Sequence, residues 1–241
     1  MALGVAAPQQ QAVLWPQLKD EQRFHYGGMP TGIATLPETY EDWEFSHPDR
    51  HDLAAMGRVW YLEAQGRARM GDAEGLLAGI RKVCQVGRQN GYSWRERYYP
   101  RGEGGFTPAG AEKYCEYAAN LIRIVQRFLL GVEFRLDGSL VLAPTATADF
   151  WERGFGQTLA WGDRTLQYRM QGDRITGTYA GGSPQHLGLQ WTPSTTGAEV
   201  HVIIDGHPAG SAEDNGFVFI TLPATDPRQP CPFQISQTWG E

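Results

Sequence analysis

Glu96 stands between two guanidiniums and among four aromatic rings in the run Tyr92-Ser-Trp-Arg-Glu-Arg-Tyr-Tyr-Pro100. A carboxylate in that company suits proton abstraction beside a ligand packed on flat apolar faces. Hydrolysis of a glycosidic bond needs two carboxyl groups. In the inverting case one protonates the leaving oxygen and the other activates water on the opposite face. The base must stay ionised near neutral pH, and Arg95 and Arg97 favour that where their side chains turn toward it. The competing reading is a surface ion pair at a helix end, which is common and worth little.

Three further groups carry chemistry-bearing side chains. Tyr40-Glu41-Asp42-Trp43-Glu44 surrounds one indole with three acids in a long loop. There Trp43 is a stacking platform and the carboxylates bind hydroxyls, or the acids simply gather near a helix N-terminus. His47, Asp49 and His51, with His25 earlier, suggest a metal. Asp49 has a capping role open to it and no third strong ligand lies nearby, so no metal site is expected. Lys113, Tyr114 and Glu116 open the last helix of the first half, within reach of the Glu96 loop. Lys113 and Glu116, three apart, also suit a plain helical pair.

These residues sit on an organisation that changes near residue 132. Before it, apolar residues recur at helical spacing; after it, short alternating runs are separated by Gly-containing turns. The first half predicts about four helices. Pro8 to Leu18 is the first. Ser46-His47-Pro48-Asp49 starts the second, which buries Leu53, Met56, Trp60 and Ala64. Asp72 caps the third, with Leu76, Leu77, Ile80, Val83 and Cys84 as its stripe. Thr107-Pro108 starts the fourth, which buries Tyr114, Cys115, Ala118, Leu121, Ile122, Val125 and Leu129 and stops at Gly131.

In the second half, Asp137-Gly138, Gly162-Asp163, Gly172-Asp173 and Asp205-Gly206 mark hairpins. They predict an antiparallel β-sandwich of about eight strands. The expected domains are therefore 1–132, helical, and 133–241, a sandwich.

Composition bounds the function. The 241 residues carry a net charge of −6, which disfavours a nucleic-acid partner. No apolar run of 18 residues exists to span a membrane. The start of the chain has no signal-peptide pattern, and three cysteines (Cys84, Cys115 and Cys231) without CxxC spacing fit a reducing compartment such as the cytoplasm. Neither a P-loop, a GxSxG nor a dinucleotide fingerprint is present, so no cofactor is expected.

The order helix, Trp-x-Glu-Arg-Tyr loop, Tyr-x-x-Tyr helix, Leu-Asp-Gly-Ser-Leu and sandwich resembles the C-terminal end of six-hairpin glycosidases. The likeness is to α-L-rhamnosidase-like proteins, whose Trp-Glu-Arg-Trp motif precedes the last barrel helix. The segment after Leu3 also looks like helix starts inside such barrels. The resemblance implies a partial (α/α)6 toroid followed by a β-domain. It implies Glu96 as general base, with Trp94, Arg97 and Tyr98 around a carbohydrate substrate. Arg95, inserted between Trp94 and Glu96, and Tyr98 in place of a Trp depart from that pattern. A full toroid has about twelve helices and its general acid lies on an earlier loop. The missing N-terminal part of the barrel is therefore an expected partner, and weak or no hydrolysis is expected from these 241 residues alone. The alternatives are a non-catalytic carbohydrate-binding or accessory module, and a structural domain with its rings in the core.

Overall fold

The computed structural model describes residues 5–20, 54–100, 106–190, 199–214 and 216–238. The chain divides into two compact units, Met1–Leu129 and Leu130–Glu241. It is a mixed helix-and-sheet protein with three mainly antiparallel sheets.

In the first unit the described elements run α1 (Pro8–Leu18), β1 (Ala55–Met56), α2 (Gly57–Arg69), α3 (Ala73–Gln89), β2 (Arg97–Pro100), β3 (Phe106–Ala109) and α4 (Glu116–Ile124). A π-helical turn, Val125–Leu129, continues α4 and buries Phe128 and Leu129. Helix α3 starts where the sequence predicts: Asp72 Oδ1 accepts the Gly75 N–H at 3.1 Å, satisfying one of the orphan donors of the first turn. Its stripe of Leu76, Leu77, Ile80, Val83 and Val86 is buried.

Two helix starts differ from expectation. Ala55 and Met56 are extended and pair with Tyr98 and Arg97, so the helix carrying Trp60 and Ala64 begins at Gly57. Ser46 and the residues around it lie outside the described residues. Thr107 and Pro108 pair with Tyr99 and Tyr98 in β3, so α4 begins nine residues later, at Glu116. In both cases a nonlocal strand, β2, captures a segment that local capping signals assign to a helix.

The buried face of α4 also differs. Tyr117, Asn120 and Ile124 point inward, while Ile122 is 68% exposed and Cys115 is exposed rather than a buried thiol. Trp60 stacks on Tyr117 with centroids 6.1 Å apart. Asn120 donates to the Gly57 carbonyl at 2.9 Å. That buried amide, spent on a helix N-terminus, hides the true stripe from an apolar-pattern reading.

The second unit runs β4 (Val132–Phe134), β5 (Leu140–Leu142), α5 (Ala148–Arg153), β6 (Phe155–Trp161), β7 (Arg164–Gln171), β8 (Arg174–Ala180), β9 (Gln185–Leu189), β10 (Glu199–Ile204), β11 (His207–Ala209), β12 (Ala212–Asp214), β13 (Phe217–Leu222) and β14 (Cys231–Thr238). A six-stranded sheet has the order β11-β10-β14-β8-β7-β6, and a five-stranded one β12-β13-β9-β5-β4. Their inward residues share one core, including Leu166, Met170, Ile175 and Ile235 from the first sheet and Leu140, Leu187, Leu189 and Ile220 from the second. Eleven described strands thus make the sandwich, against about eight expected. The pair β5–β9 is parallel, so the sandwich is not wholly antiparallel. The expected turns hold: β6 meets β7 around Gly162-Asp163 and β10 meets β11 around Asp205-Gly206.

Candidate functional site

Strands β2 and β3 and the loop that follows them frame Glu96. Its main-chain N–H donates to the Ala111 carbonyl at 3.1 Å. Its side-chain Oε2 accepts the Ala111 N–H at 3.2 Å. The carboxylate is 22% exposed, and the other oxygen lies 3.9 Å from an Arg97 nitrogen. Gly110 makes this possible. Its φ is +73°, and a Cβ built there would sit 2.4 Å from Glu96 Oε2. The carboxylate therefore rests on a backbone that has no room for a side chain.

The two flanking guanidiniums divide. Arg97 stays beside Glu96, whereas Arg95 pairs with Glu112 across 17 residues of sequence. The Arg95 N–H donates to the Tyr98 hydroxyl at 2.9 Å, which locks the loop to the first residue pair of β2. Burial is the largest influence on that phenol and pushes its pKa up.

The aromatic rings depart from the expected platform. Trp94 is 5% exposed and donates its indole N–H to the Val83 carbonyl at 3.2 Å. Its ring covers Gly87 of α3. Tyr98 is 1% exposed and meets Phe106 and Tyr117 edge-on at 5.2 and 5.7 Å. Both rings are held in packing contacts, and Tyr98 also borders the cavity beside the loop. Their aromaticity goes into packing α3, β2 and α4. Spacing along the chain does not separate a core ring from a site ring, and burial does.

Beside the loop lies a cavity of about 560 Å³ whose lining includes Asn90, Arg95, Tyr98, Phe106, Glu112 and Lys113. Glu96 and Trp94 are not part of that lining. Lys113 holds φ +52°, a conformation that costs a non-glycine residue about 1–2 kcal/mol. Strain of this kind gathers at ligand clamps. Asn90 and Glu112 were not singled out from sequence, and Arg95 was read there only as a neighbour of Glu96. The Arg95–Glu112 pair becomes visible only once β2 and β3 are joined. Tyr114 donates its main-chain N–H to the Trp94 carbonyl at 2.9 Å. Glu116 pairs with Arg58 at 3.1 Å, so it serves the contact between α2 and α4 rather than pairing with Lys113 as a helical neighbour. Tyr40, Glu41, Asp42 and Trp43 lie outside the described residues, as do His25, His47, Asp49 and His51. Among the described residues no group of three or more His, Cys, Asp or Glu side chains is placed to hold a metal. No described helix is long and apolar enough to cross a membrane.

No family model matches the chain, and no curated protein does. Solved structures of glycoside hydrolases align with parts of it. A GH127 β-L-arabinofuranosidase from Geobacillus stearothermophilus T6 matches at 10% identity over 77% of this chain and 32% of its own, with a TM-score of 0.38. A second GH127 β-arabinofuranosidase matches at 10% identity, 77% and 32%, with a TM-score of 0.34. A GH30 endoxylanase from Clostridium papyrosolvens C71 matches at 10% identity over 34% of this chain and 22% of its own, with a TM-score of 0.25. The chain thus spans about a third or less of each of these proteins. None of the three is a rhamnosidase, and the similarity to them is partial and of backbone only.

Proposed function

We propose that the chain is the C-terminal part of an inverting glycoside hydrolase, with Glu96 as the general base. Its helices belong to an (α/α)6 ring completed by the missing N-terminal part of the barrel. The observation that supports this reading is the mounting of Glu96: a partly exposed carboxylate gripped by one N–H at 3.2 Å over a glycine that has no space for a side chain. The grip takes one lone pair of Oε2 and leaves Oε1 to accept a proton from water. Arg97 places a positive charge 3.9 Å from Oε1. Lys113, Arg95 and Glu112 line the neighbouring cavity and suit hydroxyl recognition there. The general acid would come from elsewhere in the longer protein.

The mounting is tested by Gly110→Ala. The new methyl displaces the Glu96 carboxylate, and kcat falls at least tenfold while the Arg95–Glu112 cavity keeps its ligand. Unchanged kcat in a folded G110A protein contradicts the proposed role of the Gly110 perch.

One observation favours a second reading, a carbohydrate-binding module without turnover: Glu96 is not among the residues lining the cavity. In that case Arg95→Ala and Lys113→Ala abolish saccharide binding, Glu96→Gln leaves it intact, and no substrate is turned over.

A further inference from the structure

We propose that the outer face of the five-stranded sheet is a binding site for a neutral saccharide, carried by the sandwich and independent of the Glu96 loop. Strand alternation sets out the face. Val218, Ile220 and Leu222 of β13 and Leu187 and Leu189 of β9 enter the core, so Phe217, Phe219, Thr221, His186 and Gly188 are on the opposite side. A groove of about 530 Å³ opens there, within the range of small-ligand sites. Its lining includes Asp137, Ser139, His186, Phe219 and Thr221.

The groove is built in rows by strand register. In one row Phe219 lies opposite Gly188, which lies opposite Val141. A Cβ at Gly188 would meet the Phe219 ring at 2.7 Å and Val141 Cγ2 at 3.3 Å. The glycine thus lets the phenyl ring lie across the neighbouring strand. Phe217 continues this apolar strip, its centroid 6.0 Å from that of Phe219, with the Arg135 guanidinium 5.2 Å over its ring.

In the next row Thr221 lies opposite His186, and His186 Nδ1 is 3.0 Å from Thr221 Oγ1. That contact fixes the imidazole and leaves Nε2 as its remaining hydrogen-bonding atom. Asp137 Oδ1 accepts both the N–H and the hydroxyl of Ser139, at 2.8 and 2.7 Å. Its Oδ2 remains to accept from a ligand.

An apolar ring row beside a row of fixed hydrogen-bonding groups matches a pyranose or furanose. Such a ring has a C–H face to lay on Phe219 and hydroxyls at its edge for His186 and Asp137. Asp137 borders the groove, and by strand register Asp214, opposite Phe217, and Glu133, opposite Val141, lie on the same face. With Arg135 as the cation over Phe217, the face carries an excess of negative charge, which disfavours a uronate or a phosphate and leaves an uncharged sugar.

Affinity electrophoresis of the 241-residue chain through gels containing arabinoxylan, arabinan, β-glucan or galactan tests this. At least one polysaccharide is expected to retard the wild type. Phe219→Ala should weaken that retardation about tenfold, the worth of one aromatic contact. His186→Ala, at an exposed position, should weaken it several-fold with an unchanged circular dichroism spectrum. Glu96→Gln should be retarded like the wild type, which separates this site from the proposed catalytic one. Migration unaffected by any of the four polysaccharides overturns the proposal. So does retardation that both F219A and H186A retain.

Discussion

The two units treat charge in opposite ways. The helical unit buries Glu63 and Arg67, whereas the buried polar side chains of the sandwich are neutral, among them Ser139, Thr145, Thr147, Gln185 and Gln237. In the helical unit Arg67 bridges Glu63 at 2.8 Å and Asp72 at 2.6 Å, joining α2 to the cap of α3. The sandwich fixes its geometry by strand register and leaves its charges outside. A buried ion network is geometrically exacting, because each member needs the others to offset its desolvation. A register-built sheet is governed instead by volume and by the side of the pleat on which a residue falls.

The largest expected effect breaks the charged side of that comparison. Arg67→Ala leaves Glu63 and Asp72 without their guanidinium and should destabilise the helical unit by about 3–5 kcal/mol. Hydrogen exchange followed by mass spectrometry should show residues 57–89 losing protection while β6 to β8 keep theirs. Equal loss in both units contradicts a role of this ion network confined to the helical unit.

The second prediction probes the neutral side through pH. Tyr168 lies in the sandwich core, and burial, the largest influence, raises its pKa to about 12 against a small opposing effect of the Gln157 hydrogen bond. The folded pKa lies above the unfolded value of 10.0, so the contribution is fully present below pH 10. It is lost as pH rises from about 10 to about 12, because the unfolded phenol ionises first. The loss should reach about 2–3 kcal/mol. Urea denaturation of wild type and Tyr168→Phe across that window checks it. The wild type should lose stability relative to the Phe variant, which is already about 1 kcal/mol weaker at neutral pH without the Gln157 bond. A constant difference from pH 9 to 12 counts against the burial account.

The smallest effect sharpens the comparison at the site itself. Lys113→Gly relieves the φ of +52° and should stabilise the helical unit by about 1 kcal/mol. Saccharide binding in the Arg95–Glu112 cavity should weaken at the same time. A gain in stability with unchanged binding would assign Lys113 no role beyond strain.

How much of this was legible in sequence follows the same division. The hairpins at Asp137-Gly138, Gly162-Asp163, Gly172-Asp173 and Asp205-Gly206 are readable because the turn chemistry is local. So is the Asp72 cap. Strand β2 is not, since Arg97 and Tyr98 find their partners 41 and 43 residues back in β1, and Arg97–Pro100 pairs across a loop with β3. That pairing makes Ala55–Met56 and Thr107–Pro108 extended rather than helical and creates the frame around Glu96. The face of α4 was hidden by Asn120, a polar residue buried to satisfy Gly57. At the site, Glu96 and Lys113 were visible as residue types, but the fate of the rings was not. Trp94 and Tyr98 carry the same letters whether they stack on a sugar or on Gly87 and Tyr117.

The proposed role of Glu96, taking the proton from the attacking water, is measured most directly by the turnover of aryl glycosides by Glu96→Ala in the native polypeptide, with and without azide. A loss of about 10²–10⁴ in kcat, restored by azide with formation of a glycosyl azide of inverted configuration, is the predicted result. A near-normal rate in Glu96→Ala, or a wild-type protein that binds saccharides and turns none over, would contradict it.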